Sequence, residues 1–207
     1  MLIPWMKLVY VGGTTFMLPA AAAIGAWLVV SRGWRVAWWW SLLFLSGLGL
    51  IIASKMAFMG WGVGVPSIEF KAMSGHAYLT TSVAPTGMYL LLQGHSAKAR
   101  AMGVLFGFVF SLAMGACLAF YDFHSIPEII GGTLIGGAVS LGFIRKSARL
   151  PTVPVNPALL ASSALVFLVV WQLKPGSLER WMVSAALHLS GSERPYISHD
   201  INRDSRC

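Results

Sequence analysis

Charge is scarce in this chain. Only 11% of its 207 residues are Asp, Glu, Lys or Arg, against about 25% in ordinary soluble domains. Acid is scarcer than base, with 7 acidic side chains against 15 basic ones. Cysteine is nearly absent. Cys117 and Cys207 are too few for a disulfide-stapled scaffold, and neither has the C-x-x-C spacing of a metal or redox site. Cys117 sits in an apolar run and reads as a small buried residue. No basic run with interleaved aromatics occurs, which argues against nucleic acid as a partner. A hydrophobic content of 57% excludes a disordered chain.

What the sequence has in quantity is long apolar runs. A helix needs about 20 mostly apolar residues to cross the hydrocarbon core of a bilayer. Six stretches qualify or nearly do: residues 8–30, 36–54, 76–93, 102–120, 127–144 and 157–173. They predict an all-α, polytopic membrane protein, residues 1–174 forming a six-helix transmembrane domain. The first stretch has Lys7 and small residues at Ala20–Ala23, as a signal peptide would, but its apolar run continues through Trp27–Val30. A signal core is shorter, so the stretch is read as a span.

The gaps between runs alternate in charge. Arg32, Arg35, Lys98, Arg100, Arg145, Lys146 and Arg149 fall in one set, with no acid. The other set holds Lys7, Lys55 and Lys71 with Glu69 and Asp122. The positive-inside rule places the first set in the cytoplasm and residues 55–75 outside. Trp38, Trp39 and Trp40 mark a membrane edge, where amphipathic rings are favoured. Gly103/Gly107, Ser111/Gly115 and Gly132/Gly136 are small-xxx-small pairs, which permit close helix approach within a chain or between copies and leave the oligomeric state open. Residues 178–190 predict a short amphipathic helix with Trp181, Met182, Ala185, Ala186 and Leu189 on its apolar side, lying on the membrane surface within segment 175–190. Residues 191–207 read as a polar, mobile tail, with His199 and Asp200 solvated.

Polar groups at a membrane edge are costly unless they are satisfied, and they point to function. Three groups collect on the outer side: Lys55; Lys71 with Ser74-Gly75-His76; and His124-Ser125-Ile126-Pro127-Glu128. Ser74 can cap a helix. Gly75 lets backbone N–H groups approach an anion at that helix N-terminus. A plain cap with an interfacial histidine is the competing reading. His124 and Glu128 stand four apart, so a helix would place both on one side, the carboxylate holding the imidazole. Ser125-x-x-Glu128 with Pro127 also reads as a capping box, in which Glu128 bonds backbone instead. His76, His124 and Glu128 form a His₂Glu set of the kind that holds zinc, without H-E-x-x-H spacing. A serine hydrolase with Ser74 as nucleophile has only Ala72-Met73-Ser74-Gly75 in its favour.

In this order the pieces resemble the type-2 phosphatidic acid phosphatase superfamily, whose pattern is K-x₆-R-P, then P-S-G-H, then S-R-x₅-H-x₃-D. Lys55 opens the first signature, Ser74-Gly75-His76 match the second, and His124 with Glu128 match the third. The resemblance covers residues 50–145. Gly62-Val63 stand in place of Arg-Pro, Met73 in place of the proline, and Cys117-Leu118 in place of Ser-Arg. Both signature arginines are therefore absent, and Lys71 is the nearest replacement cation.

The resemblance implies a six-helix integral membrane lipid phosphatase that needs no metal or other cofactor. It would sit in a bacterial inner (cytoplasmic) membrane with its site on the extracytoplasmic face. His124 would attack phosphorus, Glu128 would orient it, and His76 would protonate the leaving alcohol. Lys55, Ser74, Gly75 and Lys71 would hold the phosphate oxygens. The alternative implied by the missing arginines is a non-catalytic relative that binds, moves or scaffolds lipid phosphates.

Overall fold

The computed structural model describes residues 11–172 and 175–196. Lys7, Lys174, His199, Asp200 and Cys207 lie outside the described residues, as do the first residues of stretch 8–30. Seven α-helices are described: α1 (Thr14–Val30), α2 (Trp34–Trp61), α3 (Gly75–Leu91), α4 (Ala97–Phe120), α5 (Ile126–Ser147), α6 (Pro157–Trp171) and α7 (Pro175–Ser190). Each of the six apolar stretches coincides with one of α1 to α6. Three of them, α2, α4 and α5, are long and apolar enough to cross a membrane. Thr14–Val30 and Leu160–Trp171 are shorter apolar helices. The protein is thus all-helical with membrane-grade apolar helices.

The central helix, α3, buries hydroxyl side chains among its apolar ones. Along α3, Thr80, Thr81, Ser82 and Thr86 are buried together with Tyr78, Leu79 and Leu90. The backbone one turn back partners two of these hydroxyls, while Thr81 Oγ1 and Thr86 Oγ1 have no partner among the described residues. Thr80 Oγ1 donates to the His76 carbonyl (2.6 Å) and Ser82 Oγ to the Leu79 carbonyl (3.1 Å). Helices α1, α2, α4 and α5 surround α3.

Small residues set how closely they approach. A Cβ at Gly136 would lie 2.6 Å from the Tyr78 carbonyl oxygen, and one at Gly107 2.6 Å from Pro85. At Gly132 a Cβ would collide with the Ser74 carbonyl. The Gly132/Gly136 and Gly103/Gly107 pairs therefore serve packing inside the chain, against the two halves of α3.

One end of the bundle gathers the basic set. Gln93 Nε2 donates to Ser147 Oγ (3.2 Å), and Val153 N–H donates to Gln93 Oε1 (3.0 Å). Arg100 donates to the Gln93 carbonyl (3.3 Å), while Lys146 Nζ lies 4.5 Å from the Trp39 ring centroid. Of the three consecutive tryptophans, only Trp38 is broadly exposed. Trp40 is buried and donates from Nε1 to the Ala21 carbonyl (3.2 Å), so it belongs to the core and not to an interfacial belt.

Helix α7 departs from expectation. Met182 and Ala186 are buried, and Ala186 approaches Gly60 of α2. Trp181 and Leu189 are exposed. Two of the five residues on the expected apolar side, Met182 and Ala186, are thus buried where α7 packs on α2. The segment after α7 is held too: Tyr196 N–H donates to the Met59 carbonyl (3.0 Å), and Ser192 Oγ to that of Gly60 (3.3 Å). These bonds meet carbonyls in the last turn of α2, which a helix end leaves without intrahelical partners. The described part of the tail, up to Tyr196, is therefore docked.

Candidate active site

At the end opposite the basic set, three segments converge. The first is the last third of α2, which carries Ser54 and Lys55. Gly62 closes this helix in the left-handed region (φ 67°), its N–H donating to the Phe58 carbonyl (2.9 Å) and that of Val63 to the Ala57 carbonyl (3.3 Å). This is a glycine-dependent helix stop. It gives a local reason for glycine where the resemblance would put arginine, since a side chain in that backbone region is strained.

The second segment is the connection from Gly62 to α3. An antiparallel bridge between Val65 and Phe70 folds it back over a short 3₁₀ turn at Pro66–Ile68. It is anchored where it enters α3. Met73 N–H donates to Ser54 Oγ (3.1 Å), and Ser74 N–H to the Glu128 carbonyl (3.0 Å). Ser74 is the N-cap of α3, its Oγ accepting from Ala77 N–H (3.4 Å), and it is wholly buried. The hydroxyl is thereby engaged in the cap. That geometry is poor for a nucleophile, and the serine-hydrolase reading loses its one residue. Gly75 is also buried; a Cβ there would lie 3.8 Å from Lys55 Nζ. The Lys55 ammonium therefore stands beside the first turn of α3.

The third segment is the tight turn 121–125 and the first turn of α5. Glu128 is the hinge of the site. Its Oε2 lies 2.8 Å from His124 Nδ1 and accepts from Ser125 N–H at 3.4 Å. Its Oε1 accepts from Lys71 N–H (3.0 Å) and Ala72 N–H (3.5 Å). The two sequence readings, capping residue and histidine partner, are both met by one carboxylate. The third role, gripping the loop at residues 71–72, had no sequence signal. The Lys71 contact made here is from its backbone.

The histidines meet. The His76 and His124 ring centroids lie 5.9 Å apart at an interplanar angle of 58°. The His124 side chain is 19% exposed and that of Glu128 7%, so the imidazole is reachable while its carboxylate partner is covered. A carboxylate at Nδ1 fixes the tautomer with hydrogen on Nδ1 and leaves the lone pair on Nε2. Such a nitrogen can act as nucleophile or general base, and the second imidazole can carry a proton across the gap. Among the described residues, no cluster of three or more His, Cys, Asp or Glu is placed to hold a metal ion.

No family model matches the chain, and no solved structure matches it. It is similar to a Klebsiella pneumoniae protein described as an uncharacterized 22.5 kDa protein in the cps region. The two are 35% identical over 148 residues, 71% of this chain and 71% of the relative. At that identity and coverage, the chain belongs to the same family as the 22.5 kDa protein of the Klebsiella pneumoniae cps region.

Proposed function

We propose that this protein is an integral membrane lipid phosphatase, a divergent member of the type-2 phosphatidic acid phosphatase superfamily without the two signature arginines. The observation that carries the reading is the paired imidazoles 5.9 Å apart, one of them backed by a buried carboxylate, with Lys55 beside them. In this reading α1 to α6 all cross the membrane, and the basic end is cytoplasmic. The site then opens on the extracytoplasmic face.

The mechanism follows from the nitrogens. His124 Nε2 attacks phosphorus, and an N–P bond forms as the P–O bond to the lipid alcohol breaks. His76 delivers a proton to the departing alkoxide oxygen. Glu128 stabilises the positive charge that His124 gains during attack. Water then attacks phosphorus, His76 takes its proton, and the N–P bond breaks to release phosphate. Lys55, the free N–H groups at the start of α3 and the Lys71 ammonium hold the phosphate oxygens, a task that preorganised donors perform in other phosphoryl transfers. Ser74 contributes by fixing the start of α3. The substrate class is a lipid phosphate or diphosphate, because a site at the membrane edge admits a head group while its tail stays in hydrocarbon.

The test is phosphate release from mixed lipid phosphates by purified protein, with and without chelator. Chelator-resistant release that is lost in both His76→Ala and His124→Ala supports the proposal. Absence of release from every lipid phosphate favours a non-catalytic binder.

A further inference from the structure

Helix α2 is 28 residues long, or about 42 Å at the helical rise. A bilayer with its head-group regions is about 40–45 Å thick. Trp34 and Trp38 are exposed near one end of this helix and Trp61 at the other, and amphipathic rings favour the two membrane interfaces. A helix that crosses from Trp34 to Trp61 therefore ends at head-group level, and the chain leaves it there, at the end that carries Lys55.

The segment that follows is not built as a solvated loop. Val63, Val65 and Ile68 are 61%, 45% and 51% exposed, and Glu69 is the one charged side chain between Trp61 and Phe70. Apolar side chains along a span meet hydrocarbon. These stand past the end of the span, and exposed apolar patches mark contact surfaces. The backbone holds them out. The N–H groups of Val65, Ile68, Glu69 and Phe70 all donate to carbonyls within the hairpin, at 2.7–3.3 Å. A tip bonded in this way enters a water-poor layer without stripping those groups of partners.

Both ends of the hairpin are fastened. At Gly62 a Cβ would lie 3.0 Å from the Tyr196 ring. Tyr196 is itself exposed, which puts a second amphipathic ring beside the base that Trp61 begins. At the far end Glu128 accepts from the Lys71 and Ala72 N–H groups, and Lys71 adds a cation suited to anionic head groups.

We propose that hairpin 61–70 seats its apolar tip in the head-group/acyl boundary of the leaflet at the site end, its partner being the lipid surface itself. This goes beyond the phosphatase reading and needs only that α2 cross the bilayer. A second copy of the chain would also cover such a patch, but it gives no reason for exposed aromatic rings at the two ends of α2, one bilayer thickness apart. The consequence for the site is positional. Glu128, which holds His124, also grips an element fixed at lipid level.

The test is spin labelling of the full-length protein carrying Cys117→Ala and Cys207→Ser, in vesicles of phosphatidylethanolamine and phosphatidylglycerol. Single labels go on Val63→Cys and Ile68→Cys, where the parent side chains are exposed and a cysteine removes no buried contact. Lys98→Cys, exposed at the basic end, is the water reference. Val109→Cys, exposed in the middle of α4, is the hydrocarbon reference. Collision rates with dissolved oxygen and with a water-soluble nickel chelate give the depth of each label. Labels at 63 and 68 should lie about 5–10 Å into the head-group/acyl boundary, between the two references. Adding Ile68→Asp should draw the label at 63 toward water. Labels at 63 and 68 as open to the nickel chelate as the one at 98 overturn the proposal. Labels shielded from both reagents overturn it as well, and dipolar broadening between proteins then assigns the patch to a second copy. Each position is decisive by itself, so the test survives the loss of one variant.

Discussion

His76 and His124 are 48 positions apart in the chain, yet their rings lie 5.9 Å from centroid to centroid. The packing of α3 against α5 brings them together. Gly132 of α5 passes so close to the Ser74 carbonyl that no Cβ fits between them, and Ser74 N–H donates to the Glu128 carbonyl just above. The contact that seats one helix on the other is thus within a turn of both catalytic candidates.

Gly132→Val should therefore damage the site from a distance. Overpacking of a tight contact costs about 1–3 kcal/mol. The added atoms must push α5 away from Ser74 and draw Glu128 off the 71–72 loop. Thermal unfolding in detergent should show a lowered midpoint, and phosphate release should fall with it. Gly49, with open space around its Cβ position, is the control, and Gly49→Ala should match the parent protein.

Glu128→Gln keeps the shape and removes the charge. The amide cannot support a cationic His124, and its NH₂ group opposes either the His124 N–H or the loop N–H groups. Turnover should drop by about 10²–10⁴. Loss of charge-assisted bonds to Lys71 and Ala72 should cost about 1.5–3 kcal/mol of stability as well. Glu128→Asp, with a shorter reach, should recover less than wild-type activity. Paired measurements of kcat and unfolding midpoint check both effects.

Lys71 separates backbone from side chain. Its N–H holds Glu128, and an alanine keeps that bond. Lys71→Ala should leave the unfolding midpoint unchanged but raise KM for a lipid phosphate, because one cation near the anion is gone. Undiminished kcat/KM in the variant would remove the Lys71 ammonium from the site.

Lys55 stands beside the first turn of α3. Lys55→Ala should lower kcat/KM by about 10²-fold, the scale of one lost oxyanion donor. Lys55→Arg should retain part of the activity, since it preserves the charge. Steady-state kinetics on the three proteins decide between a phosphate ligand and a structural lysine.

Much of the fold was legible because apolar length and charge alternation are local signals. Each of the six stretches forms a helix among the described residues, and small-residue spacing marked the faces of α4 and α5 that meet α3. The His124 and Glu128 pairing was legible from a spacing of four. Other features depend on contacts that no local pattern encodes. Trp40 looks like its exposed neighbour Trp38 until the helix rotation turns it toward Ala21. Ser74 reads as ligand or cap until its burial is known. Met182 and Ala186 have an apolar pattern that fits a membrane surface as well as it fits α2. Glu128's grip on residues 71–72 spans 56 to 57 positions and leaves no periodic trace.

The most direct test of the account follows the phosphoryl group. Purified protein is mixed with a phosphorus-labelled lipid phosphate, denatured within the turnover time at alkaline pH, and digested to locate the label. The account predicts an acid-labile, base-stable label on His124, at Nε2, because Glu128 occupies Nδ1. His124→Ala should carry none. Turnover that proceeds with no label on His124, or with label on a serine or a carboxylate, would contradict the account.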